Sequence, residues 1–178
     1  MINGAFGVGK TSVANFLVKN IKNSMIYDPE EVGLLLRNII PSEIMQDEEK
    51  TGDFQDFILL KKTVVMMAKE IKQQYNRHLI ISMTIRKIEY FKYIFSGLKK
   101  IDSDIYHFCL TAPLNTVHSR LSQRGETPNS WAFLQTEKCL SAYEDYDFSE
   151  YINTQNISIE EITQIIINKI RKEFYSHN

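Results

Sequence analysis

Gly4, Gly9, Lys10 and Thr11 stand in the spacing G-x-x-x-x-G-K-[ST] within MINGAFGVGKTSVANFLV. The spacing has a physical reason. Glycines let successive backbone N–H groups of Ala5, Phe6, Gly7 and Val8 turn inward around phosphate oxygens. A helix that starts at Lys10 adds its own unpaired N–H groups, those of Thr11 and Ser12 included, and the positive end of its dipole. Lys10 would reach the β- and γ-phosphates, and Thr11 would offer its hydroxyl to Mg²⁺. The stretch therefore predicts a nucleoside triphosphate as ligand.

Three absences narrow the class. None of the seven glycines follows an Asp by three positions, so the D-x-x-G of signalling GTPases is missing. Asn168-Lys169 runs on into Ile170-Arg171, so no N-K-x-D reads guanine. No LSGGQ-like run supports a transport ATPase. What remains is the small-kinase type, in which a second substrate receives the γ-phosphoryl group.

Such chemistry needs a carboxylate near the acceptor hydroxyl, cations against developing charge, and a lid that excludes water. Asp28 follows the apolar run SMIY and would face the carboxyl edge of a sheet, where ligands bind. It could accept a proton or hold the metal, and it is also a good N-cap before Pro29. Arg120 and Arg124 share one helix face just before Gly125, which suits a phosphate clamp or a stack on the base. Thr84 occupies the place where a Walker B carboxylate would end the strand HLIISM, so metal would rest on Thr11 and water.

These groups need elements to hold them. Short apolar runs at 1–3, 24–27, 78–83, 104–111 and 151–154 alternate with helical patterns. The pattern predicts five parallel strands in one sheet between helices, a three-layer P-loop α/β fold like that of nucleoside-monophosphate kinases. One domain is expected over 1–178, with a helical substrate-covering insertion at 41–76 and a short lid at 125–131. A helix is expected over 54–76, with Phe57, Val64, Met67, Ile71 and Tyr75 on its buried face. Ser158 and Glu161 predict a capping box, and Ile159, Ile162, Ile166, Ile170 and Phe174 a core stripe. Only three residues precede Gly4, where a strand usually has about five. Either the strand is clipped or the natural chain begins a few residues earlier, and the second is the expectation.

The 178 residues are 43% hydrophobic and 24% charged, with a net charge of −1. No global field recruits nucleic acid or an anionic membrane, and neither is expected as a partner. Cys109 and Cys139 have no metal-ligand spacing and read as reduced thiols of a cytoplasmic protein. No run is long enough to span a membrane, so no stable anchor is expected.

The strings INGAFGVGKT, YDPEEVGLLLRNIIP, DFQ, MTI before EYF, NSWA and TQNISI occur in this order. Along nearly the whole chain they resemble the tunicamycin-resistance ATP-binding proteins, a branch near shikimate kinase and chloramphenicol phosphotransferase. The resemblance implies ATP at Gly4 to Thr11, with Asn156 beside it. It implies a second ligand near Asp28, Arg37, Asp53, Phe54, Gln55 and Thr84, and a lid with Asn129, Ser130 and Trp131. Without it, Trp131 reads as a core anchor. The expected activity is transfer of phosphoryl from ATP to a small hydroxylated, nucleoside-like molecule. Two alternatives stay open: ATP-dependent sequestration of a drug, and a metabolic nucleoside or nucleotide kinase.

Overall fold

Asn3, the second residue of the first strand, carries a buried side chain that does a ladder's work. Its Oδ1 accepts from Gly4 N–H and Ile85 N–H, both at 2.8 Å, and its Nδ2 donates to Ile85 O at 3.0 Å. The chain around it is seen in a computed structural model that describes residues 1–176, with side chains to 172.

The strands are β1 (Ile2–Gly4), β2 (Ser24–Tyr27), β3 (His78–Ile81), β4 (Phe108–Thr111) and β5 (Tyr151–Asn153). All pairings are parallel. The single five-stranded sheet expected from the sequence is not formed. A three-stranded ladder, β1-β4-β5, lies beside a two-stranded one, β2-β3. They meet at one bridge, Ile2 with Ser82, where Met83 N–H donates to Ile2 O at 3.1 Å. The reason is the brevity of β1, which turns into a loop at Gly4. Past Ile2, the Asn3 amide replaces backbone pairing with the segment after β3.

The helices are α1 (Lys10–Asn20), α2 (Pro29–Ile39), α3 (Ile58–Tyr75), α4 (Ile88–Ile101), α5 (Leu114–Gln123), α6 (Trp131–Asp145) and α7 (Ile159–Ser176). Helix α1 packs on α7, α3 on α4 and α2, and α5 on α6. Strand residues Ile2, Ile81, Phe108, Leu110 and Ile152 are buried together with Val13, Val64, Ile94, Val117 and Ile166 from the helices. Each such side chain contributes about 1.5–3 kcal/mol on burial. The Ser158–Glu161 capping box forms, with Ser158 N–H to Glu161 Oε2 at 2.7 Å and Glu161 N–H to Ser158 Oγ at 3.2 Å. The side chain of Phe174 lies outside the described residues.

The helix expected over 54–76 begins at Ile58. Asp53 caps a separate 3-10 turn, Phe54–Asp56, and Phe57 is extended. The buried stripe of α3 is Leu60, Val64 and Ala68, whereas Tyr75 is 63% exposed and Met67 is exposed. Phe57 and Val64 are buried and Ile71 packs against the core, so the inward face is the expected one, and only Met67 at its margin and Tyr75 at the helix end depart from it. Among the described residues no helix is long and apolar enough to cross a membrane. Cys109 and Cys139 are free and buried, and burial pushes their thiols up to about 12 and about 11.

Candidate nucleotide and acceptor site

The glycine-rich loop lies where β1 ends and α1 begins. A Cβ on Gly4, at φ +150°, would lie 2.6 Å from Leu110 O and 2.8 Å from Val8 Cγ2. No larger residue fits there. Gly9 is left-handed, at φ +107°, and caps α1 with no side chain. The N–H groups of the first turn of α1 thus have neither a helical partner nor a side-chain acceptor. An anion there would meet both these amides and the helix dipole.

Lys10, 8% exposed, curls back so that its Nζ donates to Ala5 O at 3.0 Å, and it lies 5.3 Å from the Phe6 ring centre. Burial pushes its ammonium below the ordinary range, while the Glu30 carboxylate pulls it back up. A buried ammonium beside an open amide cradle fits a triphosphate tail. Thr11 and Ser12 are exposed at the start of α1. The Thr11 hydroxyl fits a magnesium ion carried with the nucleotide. Among the described residues, no group of three or more His, Cys, Asp and Glu could hold a metal by itself.

On the nucleotide side, the two predicted arginines differ. Arg120 Nη1 donates to Val8 O at 3.4 Å and Thr154 Oγ1 at 3.0 Å, and its Nη2 donates to Thr154 O at 2.8 Å. It ties the glycine loop to the segment after β5. Arg124 is exposed at the end of α5, and its charge opposes that of Lys10. Asn156 is exposed and left-handed, at φ +58°, in the turn before α7. Ile159, three residues on, reaches within 3.5 Å of a Cβ built on Gly9.

On the acceptor side, a narrow cleft of about 20 Å³ is lined by Glu30, Asp53, Thr84, Tyr90, Trp131 and Gln135, with Phe6, Phe54 and Gln55 also at its wall. Asp28 lies at the end of β2 as expected, but its Oδ1 accepts from Glu30 N–H at 2.9 Å. Glu30 lines the cleft, as Asp53 does, and its charge acts on Lys10. Its Oε1 accepts from Thr84 N–H at 3.3 Å. Asp53 is buried and saturated. Oδ1 accepts from Gln55 N–H and Nε2, and Oδ2 from Arg86 Nε and Nη2 at 3.1 and 2.7 Å. Gln55 Oε1 accepts the N–H groups of Arg86 and Lys87, so it pins the 3-10 turn Phe54–Asp56 to the start of α4. The Arg37 guanidinium stacks 4.2 Å above Phe54. Trp131 is not a core anchor: it is 42% exposed and meets the Phe6 ring edge-on at 5.2 Å. Asn129 is exposed in the preceding turn, and Ser130 Oγ caps α6.

Sequence reasoning missed Glu30, Arg86, Tyr90 and Gln135. Only Glu30 left a signal, a second carboxylate two positions after Asp28.

Parallel strands, seven α-helices among the described residues and a glycine cradle ahead of Lys10 define the P-loop kinase fold. Comparison with solved structures places the chain more closely. It is similar to a tunicamycin resistance protein of Deinococcus radiodurans, with a TM-score of 0.76 and 27% identity over 95% of this chain and 92% of that one. A sugar kinase of Janibacter sp. HTCC2649 aligns at TM-score 0.64 and 15% identity, over 94% of this chain and 90% of the other. Shikimate kinase of Aquifex aeolicus vf5 aligns at 0.57 and 16%, over 98% and 99%. The resemblance read from the motifs is borne out. At these identities the two kinases establish the fold alone. No protein-family model matches the chain, and no curated protein matches it.

Proposed function

We propose that this chain is an ATP-dependent phosphotransferase that moves the γ-phosphoryl group to a small hydroxylated molecule. The observation that carries the reading is that the buried Lys10 ammonium lies 5.3 Å from the centre of the Phe6 ring, which lines the same cleft as Glu30. The ammonium of the phosphate cradle lies within electrostatic reach of a carboxylate on the acceptor cleft.

In this reading the loop amides and Lys10 bind the triphosphate, and Thr11 holds the metal. Magnesium supplies neutralisation of phosphate charge when bound. Glu30 takes the proton of the acceptor hydroxyl as its oxygen bonds to the γ-phosphorus. The bond from that phosphorus to the β–γ bridging oxygen breaks, and ADP leaves with the electron pair. Asp28 holds the Glu30 backbone and so positions the base. Trp131 and Phe6 close the cleft against water. At about 20 Å³ the cleft admits only part of a substrate, so this aromatic pair must part for the acceptor to enter.

Release of ADP that depends on an added hydroxylated compound tests the reading. Glu30→Gln should lower that turnover by about 10²–10⁴-fold, the worth of general-base help. Asp28→Asn should lower it less. The same protein with full turnover in Glu30→Gln would mean that another group takes the proton.

The closed aromatic pair also favours a second reading, ATP-dependent sequestration of a nucleoside-like drug. It predicts that Glu30→Gln keeps both drug protection and ATP affinity. A nucleoside panel scored for ADP release tests the third, a metabolic nucleoside kinase.

A further inference from the structure

Two residues that line the cleft carry buried hydroxyls with no hydrogen-bond partner among the described residues. Tyr90, on α4, is 5% exposed, and its Oη is buried without a hydrogen bond among the described residues. Thr84 Oγ1 is buried without one as well. Both side chains line the same cleft, together with the buried Gln135 of α6. The volume of about 20 Å³ suits one oxygen-sized group, which needs about 10–15 Å³. Buried polar atoms are almost always paired, so two orphans at one cavity point to a partner from outside the chain.

The carboxylates on the lining already hold other donors. Both oxygens of Asp53 are taken by Gln55 and Arg86. Glu30 Oε1 holds Thr84 N–H. The charged side chains on the lining are Glu30 and Asp53, both acidic, and Arg37, stacked on Phe54, is not part of it. Arg86 neutralises Asp53, so a carboxylate or phosphate entering here would meet the charge of Glu30, which has no ion pair among the described residues. An uncharged hydroxyl would not, and it can both accept from one hydroxyl and donate to another. Burial, with Asp53 nearby, keeps the Tyr90 phenol protonated as a donor.

We propose that Tyr90, Thr84 and Gln135 form a specificity pocket that holds one non-reacting, uncharged hydroxyl of the acceptor and rejects anionic groups. The proposal rests on the phosphotransferase reading, with Glu30 as the base for a neighbouring hydroxyl.

The test has two arms on the whole chain. In the first, ADP release with Mg-ATP is followed for ribose, N-acetylglucosamine, uridine and tunicamycin, and for the acids gluconate and shikimate. Neutral compounds should be turned over in preference. Tyr90→Phe should lower kcat/KM for the best acceptor at least 10-fold, with no loss of melting temperature. An analogue of that acceptor without the recognised hydroxyl should be equally poor with both proteins. Preference for the acids, or an unchanged kcat/KM in Tyr90→Phe, overturns the proposal.

The second arm needs no turnover. A crystal structure without acceptor should place an ordered water on Tyr90 Oη and Thr84 Oγ1, and Tyr90→Phe or Thr84→Val should lose it. A dry pocket in the unaltered protein overturns the proposal. Ordered water together with no ADP release from any acceptor overturns the transfer reading and leaves the polar pocket standing.

Discussion

Replacing Asn3 by Ala should cost the protein a large share of its stability, although only one small polar side chain is lost. Asn3 is fully buried, and its amide satisfies Gly4 N–H, Ile85 N–H and Ile85 O. Tyr143 Oη also donates to its Oδ1, at 3.3 Å. In Asn3→Ala three backbone groups become orphans in a place water does not reach. At about 1–1.5 kcal/mol for each, the loss is about 3–5 kcal/mol. Whole domains have about 5–15 kcal/mol. With a slope of about 2 kcal/mol per molar, the urea midpoint should fall by about 2 M. Tyr143→Phe removes only the longest of the four bonds and should cost about 1 kcal/mol or less. Asn3→Asp keeps two acceptors, loses the donor to Ile85 O and buries a charge, so it should not rescue Asn3→Ala fully. Urea unfolding followed by circular dichroism gives all four midpoints. If Asn3→Ala melts within about 1 kcal/mol of the unaltered protein, then ordinary strand pairing joins the two ladders and the reasoning fails.

Other perturbations separate the parts of the site. Mg-ATP at 100 times its Kd should stabilise the protein by about 2.7 kcal/mol. Lys10→Ala should abolish the corresponding rise in melting temperature, and a normal rise would mean that phosphate is held elsewhere. Arg120→Ala should lower the melting temperature even without nucleotide, because Val8 and Thr154 lose their tie. Arg124→Ala should leave that temperature alone and slow turnover more than it weakens ADP binding, as titration calorimetry and initial rates would separate. His107 is buried against Phe91 and Phe95, and burial holds its imidazole down at about 4 from an ordinary 6.5. Between those values the unfolded chain binds the extra proton, so stability should fall as pH drops from 6.5 to 4, by about 3 kcal/mol in all. His107→Leu should flatten that part of the pH–stability curve, and an unchanged curve would place the titrating group elsewhere.

The sequence by itself determined the glycine cradle, because G-x-x-x-x-G-K-T is local chemistry in which each residue acts within a few positions of its neighbours. It also determined the strand and helix alternation and the Ser158–Glu161 cap, which depend on period and on short-range hydrogen bonds. Tertiary structure alone decided which of Asp28 and Glu30 lines the cleft. Asp28 and Glu30 are two residues apart, and only packing turns Glu30 into the cleft while Asp28 caps the helix. The same holds for Arg120 against Arg124, where one is spent on Thr154, forty residues beyond the start of its helix. Thr84 was legible from its place after the strand HLIISM, but Tyr90 gave no pattern, since an orphaned hydroxyl exists only once the groups around it are in place. The division of the strands into two ladders is likewise a matter of how far β1 can pair before Gly4 turns away. Chemistry carried by neighbouring residues is legible along a chain, whereas chemistry made by distant side chains converging depends on free energies of packing that no short window contains.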